Sequence, residues 1–252
     1  MNGRARLQLL AGIFLAAIVV GRLPGPVGGW VQAVGTAAHE SGHALVADVL
    51  TGRVTSVTVF RAGGGVTFSQ ASGSSWRSFL VSAAGYPATL VLALAALTAV
   101  VLAGSSRLVA YLGAMATFVA WVLWVPWSSR VAGIDGADQH FTWIVFLVSV
   151  AVLVGAAALP MKLDTARRVV LGAFAVGLLG DAFRATSDLV VIEGRFGQTA
   201  TDADGLNEAV GVLSPDGWAW AMRGALFVIA AAWVFVLVRR LRRPATPPVA
   251  AP

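Results

Sequence analysis

Long apolar runs separated by short polar stretches dominate this chain. Leu7 to Val20 is the first run, and Trp30 to Leu50 the second. Trp76 to Ala103, Arg107 to Trp127, Phe141 to Leu159, Val169 to Val191 and Trp218 to Val238 follow. Most approach the length of about 20 predominantly apolar residues that a membrane-spanning helix needs. The stretch GRLPGP, Gly21 to Pro26, concentrates Gly and Pro and reads as a turn. Leu7–Val20 resembles a signal-peptide core in length. No clear small-x-small cleavage site follows it, so we read it as a retained helix.

One segment breaks the helical pattern. RVTSVTVFRAGGGVTF, Arg53 to Phe68, is rich in Val and Thr and is interrupted by Gly63-Gly64-Gly65, which predicts a small β-hairpin at or outside the hydrocarbon edge. SSRVAGIDGADQH (128–140), MKLDTARR (161–168) and the long stretch from Glu193 to Gly217 read as polar loops. The expected fold class is an all-α polytopic membrane protein, a bundle of about six to seven transmembrane helices with a β-hairpin after the second. Residues 1–241 are expected to form a single membrane-embedded domain. Residues 242–252, basic and then Pro-rich, are expected to be a disordered tail. No internal repeat is found.

Composition supports the membrane reading. Only 12% of the 252 residues are charged, against about 25% in soluble domains. The net charge of +6 comes from 18 basic against 12 acidic residues. The basic residues lie at loop ends, as membrane-flanking Arg does, and not on a face interleaved with aromatic readers, so nucleic acid is not an expected partner. The lipid bilayer is. Arg4 and Arg6 argue for a cytoplasmic N-terminus, and Arg239, Arg240, Arg242 and Arg243 for a cytoplasmic C-terminus. Both hold only for an even number of crossings, so one segment would be re-entrant or interfacial. The chain has no cysteine, which excludes disulfides and thiolate metal sites. No residue fixes an oligomeric state.

The second apolar run carries the chemistry. His39-Glu40-Ser41-Gly42-His43 is an HExxH motif. On a helix, positions i and i+4 lie about 40° apart around the axis and about 6 Å along it. Two imidazoles so placed face one side and can bind one Zn²⁺. Glu40 is close enough to reach a metal-bound water and take its proton. The alternative is a hydrogen-bonded polar cluster without metal. Three ionisable groups in five residues of lipid, at about 2–3 kcal/mol each, are hard to keep without such a reason.

Several stretches resemble the site-2 protease family of intramembrane zinc metallopeptidases. HESGHALVADVLTGRV is similar to that family's zinc helix and its exit. SAAGYPATLVLALAAL, Ser82 to Leu97, is similar to its A-G-P-x-x-N helix, with Tyr86 between Gly85 and Pro87 and Thr89 in place of Asn. The hairpin around Gly63-Gly64-Gly65 matches its membrane-associated strand region. Thr201-Asp202-Ala203-Asp204-Gly205-Leu206-Asn207-Glu208 resembles the late S-D-A-x-x-L-A segment of the compact bacterial and plant branch. The resemblance implies an integral, multi-pass protein of a bacterial cell membrane. It also implies Zn²⁺ as cofactor, hydrolysis of membrane-protein or transmembrane-peptide substrates, and Glu40 as general base. The main family's N-x-x-P-x-x-x-L-D-G helix has no faithful copy: Gly133-Ile134-Asp135-Gly136 keeps the Asp-Gly pair, and Trp124-Val125-Pro126 only part of the rest.

A catalytic zinc site needs three protein ligands and an open position, so a third must join His39 and His43. Candidates are Asp135, Asp138, His140, Asp181, Asp188, Asp202 and Asp204, with Glu193 and Glu208 behind them. Asp181 and Asp188 flank Arg184 at helical spacing, which favours an ion-pair cluster. Asp202 is preferred, because the resemblance places it at the first Asp of the S-D-A pattern. To serve, its loop must fold back into the bundle. Two other functions compete: a non-hydrolytic zinc-binding scaffold or inactive homologue, and a transporter with a buried ion path. The lack of repeats counts against the transporter.

Overall fold

The computed structural model describes residues 3–21, 26–69, 75–125, 136–191 and 202–242. Helices α1 (Gly3–Gly21) and α2 (Pro26–Thr51) lead into strands β1 (Val54–Val59) and β2 (Gly65–Ser69). Then come α3 (Ser75–Leu102), α4 (Ser106–Trp124), α5 (Gly136–Ala158), α6 (Asp164–Val191), α7 (Asp202–Val210) and α8 (Pro215–Arg242). Among the described residues, α3, α4, α5, α6 and α8 are long and apolar enough to cross a membrane. That count of five is close to the expected six to seven. α2 is not among them, because its polar motif lowers its hydropathy.

Large apolar side chains cover the outside of the bundle as well as its core, as helices in lipid require. Small residues such as Ala33, Ala37, Ala44, Ala93, Ala110 and Ala157 are buried where helices meet. Phe118, Leu123, Val228, Phe235 and Val236 face outward. The start of α1 lies against the end of α8, where a Cβ on Gly3 would overlap the Leu241 carbonyl. The first and last described helices therefore meet at one end of the bundle. α2 runs antiparallel to α3: His43 meets Val81, and His39 meets Gly85 and Tyr86 further along.

The hairpin forms as expected, β1 antiparallel to β2 with Val57 opposite Thr67. Its turn uses Gly63 and Gly64 at φ of +100° and +78°, backbone that favours glycine. Arg53 itself precedes β1. On the outer edge of β1 the Val59 N–H donates to Thr142 Oγ1 (2.8 Å), and that hydroxyl lies 3.2 Å from the Val59 carbonyl.

Three expected loops are partly helical. MKLDTARR forms a 3₁₀ turn over Met161–Leu163 and then the first turn of α6. Arg167 is fully buried there, donating to the Ala156 carbonyl (2.8 Å), the Leu159 carbonyl, Ser106 Oγ (3.0 Å) and Asp164 (3.2 Å). Arg168 binds Asp164 (2.7 Å) and the carbonyls of Val100 and Ala103. The pair thus caps the C-terminal ends of α5 and α3, where carbonyls lack helical partners. These arginines are internal fasteners, not solvated membrane flanks. The end of the stretch 128–140 forms the first turn of α5, and Asp202–Val210 forms α7. The Pro-rich tail, 243–252, lies outside the described residues.

Candidate metal centre

HESGH lies within α2, and the helix places both imidazoles on one side, with Nε2 atoms 3.0 Å apart. His43 Nδ1 donates to the Val81 carbonyl of α3 at 2.6 Å. That bond fixes the ring and leaves Nε2 as the nitrogen with a lone pair to offer. His39 is held edge-on by the Tyr86 ring, with centroids 4.4 Å apart. α3 comes this close because position 85 is glycine: a Cβ there would overlap both imidazoles.

α7 supplies the third group. Ala203 and Leu206 are buried and seat it on the bundle, and Gly205 lies against Ser82 of α3 with no room for a side chain. Asp202, at the first position of α7, then puts Oδ2 at 3.0 Å from His39 Nε2 and 3.2 Å from His43 Nε2. Burial favours the neutral acid of Asp202. When protonated, the His43 and His39 imidazoles outweigh it, and the carboxyl is held well below the usual range.

Two imidazole nitrogens and a carboxylate oxygen thus converge on one point. Among the described residues, His39, His43 and Asp202 are the one group of His, Asp and Glu side chains able to share a metal ion. Glu40 is buried beside them, and its Oε2 lies 2.8 Å from the Thr67 hydroxyl of β2.

A model of the peptidase M50B-like family matches residues 10–238. The chain belongs to that family. This is the site-2 protease family that the motifs resemble, and its members are integral membrane proteins. No curated protein and no solved structure matches the chain. The other candidate ligands are placed elsewhere. Asp138 Oδ1 accepts the Arg61 backbone N–H at 2.9 Å, tying α5 to the hairpin. His140 is exposed, edge-on to Trp143, and Asp138 and His140 both sit on a helical turn where a loop was expected. Asp181 pairs with Arg184 at 2.6 Å, as the helical spacing implied, and presses on Gly35 of α2. Asp204 lies on α7 but outside the converging group, and Glu208 is exposed. Asp135, Glu193 and the Asp188 side chain lie outside the described residues.

Sequence reasoning did not find Thr67, the Val81 carbonyl or the steric role of Gly85. None belongs to the HExxH motif. The signal available was indirect: Gly65 and Thr67 share one strand face by period two.

Proposed function

We propose that this M50B-like peptidase is a zinc metalloendopeptidase that cuts membrane-protein substrates. The observation that carries this is the triangle of His39 Nε2, His43 Nε2 and Asp202 Oδ2, with edges of 3.0, 3.0 and 3.2 Å. Tetrahedral zinc with bonds of about 2.0–2.1 Å sets its ligand atoms roughly 3.3 Å apart, so the residues fit the ion. Three protein ligands leave a fourth position for water or substrate, the pattern of catalytic zinc. Bound zinc would supply a water of lowered pKa and polarisation of the scissile carbonyl.

The chain's own groups do the rest. His43 is oriented through Nδ1 by Val81, and His39 by the Tyr86 ring. Glu40 accepts the proton of the attacking water and returns it to the leaving amine nitrogen. Thr67 engages Oε2, so Oε1 is the oxygen assigned to that transfer. A peptide bond inside a helix is shielded by its own hydrogen bonds, so the substrate must be locally extended. The β1 edge is occupied by Thr142 and the β2 side carries the contact to Glu40, which supports pairing of an extended substrate with β2.

The test uses the protein purified in detergent, its zinc content, and a labelled transmembrane peptide. Wild type is expected to hold one zinc per chain and to cut the peptide. Glu40→Gln is expected to keep zinc and lose cleavage. Equal cleavage by both proteins sinks the assignment of Glu40, and zinc binding without cleavage by wild type favours the scaffold reading.

A further inference from the structure

The hairpin touches α2 at the residue assigned as general base. The Thr67 hydroxyl lies 2.8 Å from Glu40 Oε2 and 2.8 Å from the Glu40 backbone oxygen. One hydroxyl carries one proton, and in the ionised form that a general base requires the carboxylate is a stronger acceptor than the peptide carbonyl. The contact exists because β2 lies flat on α2. Gly65 shares the Thr67 face of the strand, and a Cβ there would come within 2.7 Å of Glu40 Cγ and 2.9 Å of Thr36 Cγ2. Any side chain at position 65 would lift the strand and withdraw the hydroxyl.

We infer that Thr67 is a positioning residue: its hydroxyl holds the Glu40 carboxylate in place for proton transfer, and Gly65 seats the strand that presents it. A carboxylate on a Glu side chain has several rotamers, and only some reach a reacting water. A hydrogen bond to one oxygen selects among them and leaves the other to accept the proton. Because Thr67 lies on the strand proposed to pair with substrate, docking of a substrate strand bears directly on the base. The inference rests on the proposed role of Glu40.

Acetohydroxamic acid tests it without a natural substrate. When it chelates an active-site metal, its hydroxyl proton passes to a neighbouring base, so its affinity reads the position of Glu40. With zinc-loaded full-length protein, Thr67→Val is expected to keep its zinc and bind acetohydroxamate about tenfold more weakly. Thr67→Ser, which restores the hydroxyl, should return affinity to within about twofold of wild type. In a Glu40→Gln background, Thr67→Val should add no further loss, because its effect runs through the carboxylate. Thr67→Ala repeats the comparison with a smaller residue if valine disturbs the fold. Wild-type affinity in both hydroxyl-less variants, or an equal loss in the Glu40→Gln background, makes the contact a simple latch and overturns the inference. If Glu40→Gln itself binds acetohydroxamate as wild type does, the role of Glu40 falls and that of Thr67 falls with it.

Discussion

Two buried polar clusters lie toward opposite ends of α3. At its end, Arg167 and Arg168 meet Asp164, Ser106 and the last carbonyls of α3 and α5. Nearer its start, His39 and His43 meet Asp202 beside Glu40. The arginine cluster matches donors to acceptors. Guanidinium N–H groups meet carbonyls, a hydroxyl and a carboxylate. The histidine cluster gathers acceptors. With Nδ1 of His43 committed to Val81, its Nε2 joins the Asp202 carboxylate in needing a positive partner, and His39 Nε2 points to the same place. A convergence of acceptors is stable only with a proton or a cation among them. Both clusters are costly in an apolar bundle, and among the described residues the second is the group that could hold a metal ion.

Removing a ligand should separate the clusters most sharply. His43→Ala and Asp202→Asn are expected to lose zinc, with affinity down more than about a hundredfold, since changing even a residue that only orients a ligand costs about 10–100-fold. Zinc at one per chain in either variant would sink its ligand role. Arg167→Met attacks the other cluster. It should destabilise the protein by about 3–5 kcal/mol, the range for breaking a buried ion pair, while folded protein keeps its zinc. Unfolding followed in mixed detergent micelles checks this, and zinc loss from the folded variant would contradict the separation. Gly85→Ala thrusts a methyl group at both imidazoles and should weaken zinc about tenfold or more, with helical content by circular dichroism unchanged. The smallest effect belongs to Asp138→Asn, which weakens the bond to the Arg61 N–H. A stability change of about 1 kcal/mol and unchanged zinc content are expected; zinc loss there would reopen Asp138 as a ligand.

The sequence showed the two clusters unequally. HESGH announces itself because helical spacing alone brings its two histidines together. MKLDTARR looked like a loop, because its Arg and Asp are polar by composition and their partners, Ser106, Val100 and Ala156, are distant in sequence. For the same reason Asp138 and His140 were read in a loop, though they form the first turn of α5. The hairpin was legible from its Val and Thr content and its glycines. The bond from Thr67 to Glu40 was not, since nothing local marks which strand face meets α2.

The third member of the converging group shows the boundary most clearly. By itself the sequence determined a bundle of apolar helices, a hairpin, and a pair of histidines on one helix face with a glutamate beside them. These follow from composition and from periodicity within single elements. The sequence left several carboxylates and His140 as candidates for the remaining ligand, with Asp202 preferred on a resemblance. Only the tertiary structure set Asp202 within 3.2 Å of both histidines. That placement depends on α7 seating Ala203 and Leu206 in the bundle and on Gly205 admitting Ser82. It is a contact across about 160 residues of chain, created by packing, and no local pattern encodes it.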